Sequence, residues 1–312
     1  MSTPDDTVTV CEVGPRDGLQ MAQGRMATEV KLRWIRQLAE SGLREIEVGS
    51  FVSPRLVPQM ADTADVVRGA LAIEGLTVCA LACNLKGAIA AHEAGAHVVA
   101  IPISVSDTHS RANVNKGTDA QVEMVRSIVD WVRAQQRPMR IDVAAATAFG
   151  CSMEGDVPRR RVAQVAAALA ATGADRVALA DTVGYAHPAL VRDTVREVQD
   201  AIGARLAKLH LHDTMGLGLA NALAGLEQGI REFDACLAGL GGCPFAPGAS
   251  GNIVTEDLVF MLESMGHATG IALPRLLEAR ALLRESLPEE PMRSGVAAAG
   301  IPRTFRTLQA AA

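Results

Sequence analysis

The sequence predicts an α/β protein folded as a closed (β/α)8 barrel, the TIM-barrel architecture, with a C-terminal helical extension. Short apolar, β-branched runs alternate with longer helical patterns from one end to the other, which calls for parallel strands joined by right-handed helical crossovers. Eight such strand–helix units occupy roughly 265 residues, the usual size of a closed barrel. A doubly wound sheet would normally use fewer strands and open on a Gly-rich phosphate turn. Glycine also recurs where helices end. Ala94-Gly95-Ala96 and Thr172-Gly173-Ala174, with Ser41-Gly42-Leu43 similar, put the residue that enters the left-handed region without steric cost just before the next strand.

In chain order, strands are predicted at residues 7–13, 45–48, 77–82, 97–103, 140–145, 176–180, 208–211 and 233–237. Apolar residues recur at helical spacing in 28–40, 62–71, 119–135, 161–171, 189–202, 219–228 and 256–265. Residues 1–285 are expected to form the barrel domain, with one more helix beginning near Leu273. Residues 286–312 contain Pro, Gly and Ala without clear periodicity and are expected to be a peripheral or disordered tail.

Composition narrows the function. In 312 residues, 49% are hydrophobic and only 3% aromatic, mostly Ala, Val and Leu, which suits short buried strands under Ala-rich helices and excludes a disordered chain. The formal charge of −5, without an arginine stripe interleaved with aromatics, offers no field for nucleic acid. Met1 to Asp6 lack a signal-peptide pattern and no run is long enough to span a membrane, so a cytoplasmic protein without a membrane partner is expected. Six cysteines at 11, 79, 83, 151, 236 and 243 are too scattered for a disulfide framework or zinc knuckles, so reduced thiols are expected.

In such a barrel the chemistry lies at the C-terminal ends of the strands. The first strand ends in Gly14-Pro15-Arg16-Asp17-Gly18-Leu19-Gln20, which alone could be a plain turn or part of a site. Glu47 on the second strand has inward parity, and a buried glutamate needs a partner, for which Arg16 is the obvious choice; the alternative is a solvated loop residue.

Most informative is Lys208-Leu209-His210-Leu211-His212-Asp213-Thr214. Histidines two apart on a strand share a side, while Leu209 and Leu211 pack outward against helices. Strands one and seven are separated only by strand eight, so Asp17 and both imidazoles can converge on one ion. A nitrogen and oxygen set without thiolate favours six-coordinate Mg²⁺ or Mn²⁺ over structural zinc. The Gly-rich segment from Gly239 to Asn252 is neither a Walker loop nor a dinucleotide fingerprint, and reads as a lid or catalytic loop. Its Cys243 is either a passive small residue or a proton donor or acceptor.

Together these segments resemble the 3-hydroxy-3-methylglutaryl-CoA lyase family, within the wider group of barrel metallolyases. The resemblance runs from about residue 8 to 285 and rests on Glu12 to Gln20, Glu47 to Pro54 with Val57 to Asp62, His210 to Thr214, and Gly239 to Asn252 followed by Thr255-Glu256-Asp257-Leu258. It implies a carbon–carbon lyase acting on an acyl-CoA. It further implies that Asp17, His210, His212 and Asn252 ligate a divalent cation, that Arg16 stabilises enolate charge and that Glu47 positions Arg16. Cys243 is implied to work from the loop, and Asp181 matches a further acidic active-site position; the proton that the enolate needs would come from Cys243 or from a nearby histidine, with His210 the catalytic candidate. A homodimer or larger homo-oligomer is expected.

Three positions depart from the family pattern: His109 where an aromatic is expected, Ala178 in place of a serine, and Cys151-Ser152-Met153-Glu154-Gly155 without a Pro-aromatic pair. All three are placed at strand ends, touching substrate recognition rather than the metal. A citramalyl-CoA or a longer branched 3-hydroxyglutaryl-CoA therefore stands as an alternative substrate. A condensing synthase of the isopropylmalate or homocitrate type would share Arg-Asp and His-x-His, but the Cys243 loop argues for cleavage. The intact set of polar residues argues against a silent metal-binding barrel.

Overall fold

A computed structural model describes residues 7–242 and 251–308. Eight strands follow one another around the barrel: β1 (Thr9–Glu12), β2 (Glu45–Ser50), β3 (Thr77–Leu81), β4 (Val98–Ser104), β5 (Arg140–Ala146), β6 (Arg176–Asp181), β7 (Leu206–Leu211) and β8 (Glu232–Ala235). Every neighbouring pair is parallel, and β1 closes the ring on β8 with Thr9 opposite Glu232 and Glu12 opposite Ala235. Each strand lies where the sequence predicts it, with ends moved by a few residues.

The predicted helices are present as well. Thr28–Glu40 has the predicted bounds and buries Trp34, Ile35, Leu38 and Ala39, the stripe that faces the sheet in a helix of period 3.6. The three glycines expected to end helices adopt left-handed backbone, with φ of 110° at Gly42, 98° at Gly95 and 90° at Gly173. At Gly42 a Cβ would also stand 2.1 Å from the carbonyl oxygen of Gly270, so close approach excludes a side chain there independently of φ. Beyond the barrel, helix Leu273–Ser286 lies against Thr28–Glu40, and a short helix, Gly295–Ala299, follows.

The strands alternate with period two, and the apolar core lies outside the barrel rather than in it. Ile101, Ile103, Ile141, Val143, Leu179, Leu209 and Leu211 are almost wholly buried between the sheet and its helices. Leu209 packs so closely on helix Gly218–Glu227 that a Cβ on Gly225 would lie 2.4 Å from its Cδ1. The opposite face carries charge: Lys208 of β7 reaches Glu45 of β2 across the barrel at 3.0 Å, and Arg140 of β5 reaches the other oxygen of Glu45 at 2.7 Å. Arg140 also pairs with Asp142 at 2.9 Å and Lys208 with Asp234 at 3.1 Å.

Barrels are usually filled by layers of branched aliphatics. Here Ala144, Ala178 and Ala180 share the face of Asp142, Lys208 and His210 by register, and small side chains leave room for the long charged ones. This corrects the expectation for Ala178. It is the third residue of β6, inside the barrel beside Lys208, not at a strand end.

Glu12 ties the closure together. Its buried carboxylate accepts the N–H groups of Gly14 (2.8 Å) and Leu237 (2.9 Å) and the hydroxyl of Thr255 (2.7 Å), joining the ends of β1 and β8 to helix Thr255–Ser264. Burial, opposed by these hydrogen bonds, pushes the carboxyl up from 4.5 to about 7. A raised carboxyl means the unfolded chain ionises first, so between those two values the native state holds more protons and stability falls as pH rises. Glu12→Gln is therefore expected to gain on the wild type between about pH 5 and about pH 8, by up to about 3 kcal/mol. Urea unfolding at both values checks this; a difference independent of pH contradicts it.

Candidate active site

Three strand ends supply the polar cluster. The helical turn Gly14–Gly18 after β1 presents Arg16 and Asp17 side by side, and Arg16 donates through one terminal nitrogen to Asp17 and through the other to Glu47 of β2 at 2.9 Å. The pairing of Arg16 with Glu47 expected from parity is thus present. Burial works against the guanidinium charge, but the Asp17 and Glu47 carboxylates outweigh it and hold the proton more firmly than usual. Burial likewise opposes ionisation of Asp17, and Arg16 with the two histidines overcomes it, leaving the carboxyl well below its ordinary range.

His210 and His212 stand on the same side at the end of β7, with their Nε2 atoms 3.2 Å apart. Asp17 Oδ2 lies 3.8 Å from His212 Nε2, and one ligand atom from each of Asp17, His210 and His212 lies within 4.8 Å of the others. Burial lowers the pKa of His212, whereas for His210 the Asp234 carboxylate overrides burial and raises it.

Asn252 joins through an isolated antiparallel bridge to His212, flanked by bonds from Ile253 N to Leu211 O (3.0 Å) and Asp213 N to Gly251 O (2.9 Å). Its side-chain nitrogen donates to Asp17 Oδ2 at 2.6 Å, and its buried Oδ1 has no hydrogen-bond partner among the described residues. Half a turn of the amide would bring that oxygen to Asp17's side of the cluster.

These residues fit a hard divalent cation. Ligands about 2.1 Å from a six-coordinate ion stand about 3 Å from their neighbours, close to the Nε2 separation, and the donors are nitrogen and oxygen only. Cys11, Glu45 and Cys79 also come within ligand distance of one another, but Lys208 and Arg140 already occupy Glu45. Two cations there leave no place for a third.

The remaining expected residues stand differently. Asp181 ends β6, and its two oxygens accept the N–H groups of Tyr185 and Ala186, both at 3.0 Å. Burial, opposed by those bonds, lifts its carboxyl to about 6. His109 is buried with Nδ1 2.8 Å from Ser104 Oγ, while Met153 is exposed on the turn closed by Cys151 and Gly155. Cys243 lies outside the described residues. A cavity of about 410 Å³ opens beside the end of β2, lined among others by Ser50, Phe51, Asn84 and Lys86.

Two contributors escaped the sequence reading. Asp234 has the parity of an inward residue in the eighth predicted strand, which was signal enough to find it. Arg293 had no such signal. From the aperiodic tail it donates to the carbonyls of Gly239 (3.0 Å) and Asn252 (3.2 Å), and its own N–H bonds Ala238 O at 2.9 Å.

Over residues 7–283 the chain matches the HMGL-like family. It belongs to that family. It is 40% identical over 280 residues to the hydroxymethylglutaryl-CoA lyase YngG of Bacillus subtilis, covering 90% of this chain and 93% of that one. To the mitochondrial hydroxymethylglutaryl-CoA lyase of Homo sapiens it is 39% identical over 287 residues, 92% of this chain and 88% of the other. The fold superposes with a TM-score of 0.91 on an HMG-CoA lyase from Acinetobacter baumannii in complex with coenzyme A and 3-methylmalate, at 39% identity, covering 99% of this chain and 100% of that chain.

Gly251, which leads into Asn252, has φ +85°, and a Cβ there would lie 2.4 Å from Gly241 O and 2.7 Å from Gly241 C. Gly266 is equally left-handed at φ +93° but has nothing within 4 Å. Gly266→Ala should lose only the conformational part, about 1–2 kcal/mol, whereas Gly251→Ala must also force two backbone segments apart. Urea unfolding of both variants should show the larger loss at Gly251. Equal losses would mean that the close approach of the two segments is unimportant.

Proposed function

We propose that this chain cleaves 3-hydroxy-3-methylglutaryl-CoA to acetyl-CoA and acetoacetate. The observation that carries the reading is the convergence of Asp17, His210 and His212 beside an Arg16 held on both sides by carboxylates, in a carbon–carbon lyase family. The reaction is a retro-Claisen cleavage. The 3-hydroxyl loses its proton, C3 becomes the keto carbon of acetoacetate, the C2–C3 bonding pair passes into the thioester enolate, and a proton delivered to C2 completes acetyl-CoA.

A divalent cation, Mg²⁺ or Mn²⁺, held by Asp17, His210, His212 and the turned amide of Asn252 would supply Lewis-acid polarisation of the substrate oxygens. Arg16 has the task of stabilising enolate charge. Its two terminal nitrogens are fixed by Asp17 and Glu47, and its buried Nε has no partner among the described residues, so the guanidinium is oriented before substrate arrives. Glu47 is the residue that holds it.

His210 has Nδ1 committed to Asp234 and only Nε2 facing the site, so it serves as a ligand and not also as the proton carrier. Asp181 is assigned from the family resemblance as a further acidic residue of the site, its two oxygens held by the N–H groups of Tyr185 and Ala186. Delivery of a proton to C2 is assigned to Cys243 from the family resemblance. The cavity beside β2, with Lys86 on its wall, offers room and a cation for part of the acyl-CoA.

An acetyl-CoA release assay over a panel of 3-hydroxyacyl-CoA esters tests the substrate. The methylglutaryl ester should give the highest kcat/KM, and a citramalyl or longer branched ester turning over faster overturns the choice of acyl group. Chelation should abolish turnover and Mg²⁺ or Mn²⁺ restore it; full activity in metal-stripped protein contradicts the cation's role. Arg16→Lys keeps a charge but loses the planar fork, so kcat should fall about 100- to 1000-fold with KM little changed. A near wild-type kcat refutes its assignment.

A further inference from the structure

Cation ligation leaves unexplained why the barrel interior beneath the two histidines is charged. Three carboxylates, Glu45, Asp142 and Asp234, face two cations, Arg140 and Lys208, in a connected column. Glu45 is shared between both cations, and Asp142 belongs to Arg140. Asp234 stands at the upper end, with Oδ1 3.1 Å from Lys208 Nζ and Oδ2 3.2 Å from His210 Nδ1. Cross-strand register puts it directly opposite His210.

An imidazole binds a cation through a nitrogen that carries no proton, so the tautomer must be set by what the other nitrogen meets. A carboxylate can only accept. Facing Nδ1, it requires the proton to sit there and leaves Nε2, which points at His212 Nε2, as the lone-pair nitrogen. His212 has no equivalent: its Nδ1 is buried without a partner among the described residues. One histidine of the pair is therefore oriented by a built contact.

We propose that Asp234 is a positioning residue of the cation site, holding His210 in the ligating tautomer while Lys208, anchored on Glu45, holds Asp234. The inference rests on the reading of Asp17, His210 and His212 as a cation site and extends it to two residues below. The competing explanation is that Asp234 only balances the charge of Lys208. The two differ in what a neutral, isosteric replacement does. Asp234→Asn can turn its amide nitrogen toward Nδ1, which then favours the tautomer with the proton on Nε2, useless for ligation. Removing both charges in Asp234→Leu with Lys208→Met restores electrical balance but leaves no acceptor facing Nδ1.

The test is Mn²⁺ affinity of metal-stripped protein by calorimetry, with the thermal midpoint measured alongside. Asp234→Asn should weaken Mn²⁺ binding about 10- to 100-fold, the usual cost of losing such a contact, and the double variant should stay as weak even where its thermal midpoint recovers. Wild-type affinity in either the single or the double variant overturns the proposal and makes Asp234 a charge balance for Lys208. His210→Ala serves as the control: if it loses Mn²⁺ while Asp234→Asn keeps it, only the positioning role fails. If His210→Ala binds as the wild type does, the cation site itself is wrong and the inference falls with it.

Discussion

Closure of the barrel between β1 and β8 is the constraint on which the site depends. Parallel pairing of β1 with β8, and of β8 with β7, brings Asp17 and His210, far apart in the chain, to strand ends separated only by β8. Pairing of β1 with β2 brings Glu47 to the other side of Arg16. A cation site assembled from one carboxylate and two imidazoles tolerates little displacement, because its ligand atoms must meet at a single point. The sheet supplies that precision and the turns carry the side chains.

A polar interior carries a cost that an aliphatic one would not. Buried ion pairs seldom stabilise a fold relative to well-packed hydrocarbon, because desolvation cancels much of the attraction. What they provide is orientation. In this barrel the outward face of the strands, with its leucines, isoleucines and valines, supplies the hydrophobic stabilisation, while the interior is free to hold a column of charges ending at His210. The alanines of β5 and β6 make that division possible by leaving space for Lys208 and Arg140.

The segment after β8 begins and ends under restraint. Ala238 and Gly239 both have left-handed backbone, at φ 64° and 62°. The N–H of Ala238 is taken by Glu256 at 3.0 Å, and its carbonyl by the N–H of Arg293. A non-glycine residue in that region persists only where its surroundings over-determine it. The tail thus contributes to the floor of the site, since the Arg293 guanidinium also spans Gly239 and Asn252.

The sequence by itself determined the order of elements and which residue types could do chemistry. Period-two and period-3.6 patterns are local, and a strand or helix forms largely from its own stretch of chain, so all eight strands and the three left-handed glycines that end helices were legible. Parity alone also sent Leu209 and Leu211 outward and His210 and His212 together. What the sequence could not decide is which inward side chains meet across the barrel. Lys208 with Glu45, Asp234 under His210 and Arg293 across Gly239 and Asn252 are pairings set by strand register and closure, and no local pattern encodes a distance between residues on opposite walls. The depth of Ala178 is set in the same way, because a position within a strand acquires a level in the barrel only when its neighbours are in register.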